Sequence, residues 1–108
     1  MKLNTRIFAI SAALLTATTA IGWADNADVK IGMTPKFLKD DFQALMLNLS
    51  IAAFEAKGFT MVGAPDPNGD IAAQVDALQN LIAGGANVIV FAPIDAAGIV
   101  PAVERANE

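Results

Sequence analysis

Residues 87–92, Asn-Val-Ile-Val-Phe-Ala, form a strand-length run with almost no polar position. A strand that apolar is expected to be covered on both faces, as in the interior of a parallel sheet. An amphipathic segment leads into it. Ile71, Val75, Leu78 and Ile82 fall at i, i+4, i+7 and i+11, with Asp76, Gln79 and Asn80 on other faces, so a helix is expected with that stripe inward. Asp70 stands at its N-cap position and Gly84-Gly85 at its end.

The same unit occurs upstream. Val29-Lys30-Ile31-Gly32-Met33-Thr34 alternates like a strand. After a loop opened by Pro35, a helix is expected from about Asp41 to Lys57, with Phe42, Leu45, Met46, Leu49 and Ala53 as its buried stripe and Leu47, Ile51 and Phe54 as a second one beside it. Gly58 stops it, because glycine tolerates the left-handed backbone of a helix end. Phe59–Val62 is the second strand, and Ala64-Pro65-Asp66-Pro67-Asn68-Gly69 is a loop. Past the third strand, Pro93-Ile94-Asp95 leads to a last helix carrying Ile99, Val100 and Val103, with Pro101 tolerated in its first turn. The order β-α-β-α-β-α predicts an α/β fold, a doubly wound open parallel sheet with strand order 2-1-3 and right-handed crossovers. Ligands of such sheets bind beyond the carboxyl ends of the strands, which here means the loops 34–41, 64–70 and 92–98.

Ahead of the first strand, Lys2 and Arg6 precede a mostly apolar Ile7–Leu15, and Gly22 and Ala24 are the small residues before a cut. This is the layout of a secretory signal peptide over residues 1–24, cleaved after Ala24, with Ala20 and Ala27 as alternative sites. Ser11, Thr16, Thr18 and Thr19 interrupt the run, against a membrane anchor of about 20 apolar residues. Without the leader, five basic residues face eleven acidic ones, a net charge of −6 against −4 for the whole chain. That balance argues against nucleic acid and anionic membrane as partners. Cys and His are both absent, which removes disulfides, thiolate chemistry and the commonest general base and zinc ligand. The product, residues 25–108, is expected outside the cytoplasm and must be held by its apolar core. A sheet ending at the third strand leaves a long apolar edge, so a longer protein is expected, of which this is the front part.

Several stretches carry a family likeness. They are Val29-Lys30-Ile31-Gly32-Met33, Ala53-Phe54-Glu55-Ala56-Lys57-Gly58-Phe59, Asp66-Pro67-Asn68-Gly69-Asp70, Gln74 with Leu81 through Val90, and Pro93-Ile94-Asp95-Ala96-Ala97-Gly98. In their order and spacing the chain resembles the start of a type I periplasmic binding protein, the ribose- and galactose-binding kind of ABC-importer solute receptor. The resemblance implies a partial N-terminal lobe over 25–108, no enzymatic activity, no cofactor and no metal. It implies a monomer that traps a monosaccharide or similar small polar solute between two lobes and presents it to ABC permease subunits. A sensor or chemoreceptor component of the same fold is the alternative.

Carried over by position, the family's Asn-Pro-Phe-Phe segment corresponds to Asp40-Asp41-Phe42-Gln43. Phe42 is then the aromatic that stacks on a sugar ring, Asp40 an acceptor for hydroxyls, and Gln43 stands where the second aromatic would be, a departure that speaks against ribose. Asp95 matches a recurrent residue whose plain role is capping the third helix, and Ala92 replaces a position that is often polar. As local structure, Asp40 and Asp41 also suit the start of the first helix.

Enzyme readings find little support in the residues. No Gly-x-Gly-x-x-Gly follows the first strand and no Gly-x-Ser-x-Gly elbow exists. Asp40, Asp41 and Asp95 are similar in type to the acidic Mg²⁺ pocket of a phosphoryl-accepting receiver, but Asp40 lies six residues beyond Thr34 rather than at a strand end. A DNA-binding regulator would carry a helix-turn-helix where residues 1–24 read as a leader.

Overall fold

Extended and helical segments alternate along residues 25–108, the part of the chain that the computed structural model describes. The leader read over residues 1–24 lies outside it. A 3₁₀ turn, Asn26–Asp28, precedes β1 (Lys30–Thr34), α1 (Asp41–Ala56), β2 (Thr60–Gly63), α2 (Ile71–Ala83), β3 (Val88–Phe91) and α3 (Val100–Ala106). The helix starts follow from side-chain caps. Asp40 Oδ1 accepts the Phe42 N–H at 2.7 Å, and Asp70 Oδ1 accepts the Ala73 N–H at 3.1 Å, each satisfying an N–H that the helix itself leaves open. Gly58 (φ 84°) and Gly85 (φ 94°) follow the helix ends in the left-handed region. Pro101 sits in the first turn of α3, where its missing N–H costs nothing.

The three strands are parallel in the order β2-β1-β3, the order read from the sequence. Ile31 pairs with Met61 and with Val88, and Thr34 pairs with Phe91. The period-2 alternation of β1 then sorts its side chains between two layers. Ile31 and Met33 join Leu47 of α1, with Ile51, Phe54, Phe59 and Met61 packed around them. On the opposite face, Leu78, Ile99 and Ala102 form a second cluster with Ile89 and Phe91. Helices on both faces make the sheet doubly wound.

Contact between α2 and the sheet is close because β1 and β2 offer glycine beneath it. A Cβ on Gly32 would lie 3.0 Å from Leu81 Cβ and 3.0 Å from Leu81 Cδ1, and one on Gly63 would lie 3.4 Å from Leu81 Cδ2. Leu81 is buried in that seat. At the amino ends of the strands, the Asn87 side chain acts as a clip. Its Oδ1 accepts the Lys30 N–H at 2.8 Å and its Nδ2 donates to the Asp28 carbonyl at 2.9 Å.

Two expectations are corrected. The stripe of α1 expected inside (Phe42, Leu45, Met46, Leu49, Ala53) faces outward, with Phe42 63 % and Leu49 59 % exposed. The second stripe (Leu47, Ile51, Phe54) is the one that packs on the sheet. The two lie roughly 140° apart around a helix of 3.6 residues per turn, and both satisfy the same spacing rule. β3 is likewise covered on one face only. Ile89 and Phe91 lie under α2 and α3, whereas Val88 and Val90 are 41 % and 38 % exposed, because no described element packs over β3 on the α1 side.

Candidate functional site

The loops beyond the carboxyl ends of β1, β2 and β3 lie together because the strands are parallel and the crossovers short. Backbone and side-chain hydrogen bonds hold them to one another. The Gly69 N–H donates to the Lys36 carbonyl at 2.8 Å, and the Leu38 N–H donates to Asp66 Oδ2 at 3.3 Å. Asp66 Oδ1 also accepts the Asn68 N–H at 2.8 Å, which braces Asn68 in its left-handed conformation (φ 54°), a backbone state that Asn tolerates better than most residues. Asp66 thus ties the loop after β2 to the loop after β1.

Gln74, on the first turn of α2, is fully buried. Its Nε2 donates to the Ala92 carbonyl at 2.8 Å and to the Pro35 carbonyl at 3.3 Å, and its Oε1 accepts the Ile94 N–H at 2.9 Å. Every polar atom of the side chain is therefore engaged, as a buried amide requires. Among the described residues no buried side-chain nitrogen or oxygen is left without a partner.

Beside these loops, α1 and β3 enclose an apolar groove of about 270 Å³. Phe42, Gln43 and Met46 line it from α1, Met33 and Thr34 from β1, and Val90 and Ala92 from β3 and its exit. The structure therefore brings Phe42 and Gln43 into one concavity, with Ala92 opposite. Asp40 and Asp95 belong to the same end of the sheet but do not line this groove. Both cap local structure. Asp40 Oδ1 opens α1; Asp95 Oδ1 accepts the N–H groups of Ala97 and Gly98, closing the turn before α3. Gly98 fits that turn because a Cβ there would lie 2.8 Å from Ile71 Cγ1. Asp40, Asp41 and Asp95 do not converge, and the described residues hold no cluster of three or more acidic groups arranged for a metal ion.

Reading the sequence missed two residues that build this end. Asp66 reads only as part of the 64–69 loop and of a family-like stretch, although Asp-Pro-Asn-Gly is the composition of an Asx-type turn. Gln74 had a usable signal. It falls four residues before Leu78 and seven before Leu81, on the buried side of α2, where an amide needs a complete set of partners.

A parallel, doubly wound sheet whose strand-end loops are tied into one rim beside an apolar groove is the architecture of an α/β ligand-binding lobe. The family model described as a periplasmic binding protein domain matches residues 31–108, and the chain belongs to that family of solute-binding proteins. Among solved structures, it is similar to an ABC transporter solute binding protein from Mycobacterium smegmatis with bound glycerol. There the identity is 32 %, the TM-score 0.68, and the match covers 73 % of this chain and 28 % of the other. LsrB from Clostridium saccharobutylicum in complex with AI-2 matches at 23 % identity and TM-score 0.66, over 73 % and 24 % of the two chains, and shares the fold. The chain thus spans about a quarter of the length of these two proteins. No curated protein matches it.

Proposed function

We propose that residues 25–108 form the opening part of the first lobe of an exported solute receptor, with residues 1–24 as its cleaved signal peptide. The complete protein closes two lobes over a monosaccharide or a similar small polar solute in the periplasm and delivers it, as a monomer, to the permease of an ABC importer. It uses no cofactor and performs no chemistry on the solute. The observation that carries this reading is the exposed Phe42 ring beside Gln43 at the carboxyl end of the sheet, in a chain of the periplasmic binding protein family. An aromatic face complements the C–H side of a sugar ring, and a neighbouring amide can both donate to and accept from hydroxyls. Asp40 and Asp95, each with one carboxylate oxygen engaged in a cap, offer the second to the solute.

The glycerol in the mycobacterial relative supports a polyhydroxylated ligand. The outer stripe of α1 beyond Phe42, notably Leu45 and Leu49, and the bare face of β3 support a longer protein, since a helix apolar on both sides belongs in an interior. The test is a thermal-shift screen of sugars, polyols and amino acids on the complete exported protein. Stabilisation by one sugar or polyol is expected, because a ligand at about 100 times its Kd adds about 2.7 kcal/mol. A response to amino acids alone contradicts the sugar assignment.

A further inference from the structure

We propose that Gln74 is a positioning residue for the solute site, acting as a side-chain rung that extends the sheet past the end of β1. The β1–β3 ladder pairs Thr34 with Phe91 and makes its last backbone bond from the Ala92 N–H to the Thr34 carbonyl at 3.2 Å. Continued in parallel register, the next rung would come from the peptide groups of Lys36. Its N–H would meet the Ala92 carbonyl and its carbonyl would meet the Ile94 N–H. β1 does not continue. Pro35 has no N–H, and the Lys36 carbonyl turns to the Gly69 N–H in the next loop. The two groups on β3 that Lys36 would have met are the two that Gln74 meets, with a donor at 2.8 Å and an acceptor at 2.9 Å.

A primary amide carries the donor and acceptor of a peptide group on one planar unit, so it can stand in for the missing backbone. The second hydrogen of Nε2 reaches the Pro35 carbonyl and ties the departing chain to the same point. The consequence is geometric. The chain after β1 is free to leave the sheet and open the crevice, while Ala92-Pro93-Ile94 stays in place without a neighbouring strand. The bonded backbone groups of Ala92 and Ile94 are thereby turned to the protein, so a solute meets this segment through side chains rather than through those groups. The assignment of Gln74 to solute positioning rests on the function proposed above; the rung itself does not.

The test compares Gln74→Met with Leu78→Ala, a destabilising change elsewhere on α2, in the full chain. Amide exchange of Ile94 should quicken about tenfold or more in Gln74→Met beyond the change in sheet-interior amides such as Met33 and Val90, as expected when one buried N–H loses its partner. In Leu78→Ala, Ile94 should change only in step with the sheet. D-galactose, as the probe sugar, should bind Gln74→Met about tenfold more weakly than Leu78→Ala when unmet polar groups at the rim disturb its geometry. Should the methionine variant not fold, the unmodified protein still decides: the Gln74 side-chain amide protons should be protected while those of Gln79 exchange freely. Equal Ile94 exchange in the two variants, or unprotected Gln74 protons, would overturn the rung. Ile94 exchange as expected with equal sugar affinity in the two variants would overturn the positioning role alone. Failure of the unmodified protein to bind any sugar would count against the proposed function and leave the exchange result to judge Gln74.

Discussion

The two faces of this sheet differ in how finished they are. On the α2 side, Leu81 is seated on Gly32 and Gly63, and Leu78, Ile99, Ala102, Ile89 and Phe91 pack as one cluster beside a pocket of about 250 Å³ between α2, β3 and α3. On the α1 side, Leu47, Ile51 and Phe54 cover β1 and β2, but Val88 and Val90 of β3 and the outer stripe of α1 remain in contact with solvent. Both faces are apolar, so hydrophobicity alone does not separate them. What separates them is whether an element of this chain reaches each strand. A core residue can therefore be recognised by its neighbours but not by its type.

This contrast can be broken in two places. The largest effect is expected on the finished face. Leu81→Ala removes the side chain that fills the double-glycine seat and should cost about 3–4 kcal/mol in urea unfolding, in the range for buried leucines. A cost under about 1 kcal/mol would mean that the seat collapses around the smaller residue. A smaller effect is expected at Leu49, 59 % exposed on the outer stripe of α1. If the complete protein covers the part of that stripe beyond Phe42, as proposed, Leu49→Ala should cost about 2 kcal/mol there. A cost within about 0.5 kcal/mol, the usual range for surface substitutions, would mean that the stripe stays in water and that the α1 face is finished as it stands.

Much of the fold was legible from local rules. Asp40 and Asp70 cap α1 and α2, Gly58 and Gly85 follow their ends, and Asn68 takes up a turn conformation. These depend on a few neighbouring residues and on backbone sterics, which the sequence displays directly. The strand order follows from alternation and chain crossing rules. The choice between the two stripes of α1 was not legible, because each has helical spacing and only the position of the sheet decides. The coverage of β3 failed for the same reason: a continuous apolar run records an environment without saying which chain segment provides it. At the candidate site, the cap role of Asp40 was visible as local chemistry, whereas Asp95, expected to cap the third helix, closes the turn before it instead and leaves Ile99, the N-cap of α3, without a side-chain bond. The grouping of Phe42 with Gln43 and Ala92 in one groove depends on α1 lying beside β3. The three-way engagement of Gln74 needs residues 18 to 39 positions away in the chain, and no local pattern displays that.

In the proposed function, the carboxyl ends of β1 and β3, with Phe42 beside them, form one wall of a solute site. A crystal structure of the complete protein, grown with the sugar or polyol that stabilises it most, tests this directly. The solute is expected between two lobes with its ring or carbon chain against the Phe42 side chain. A solute bound at the amino ends of the strands, near the Asn87 clip, or one held wholly by other parts of the protein with Phe42 buried beneath a neighbouring helix, would contradict it.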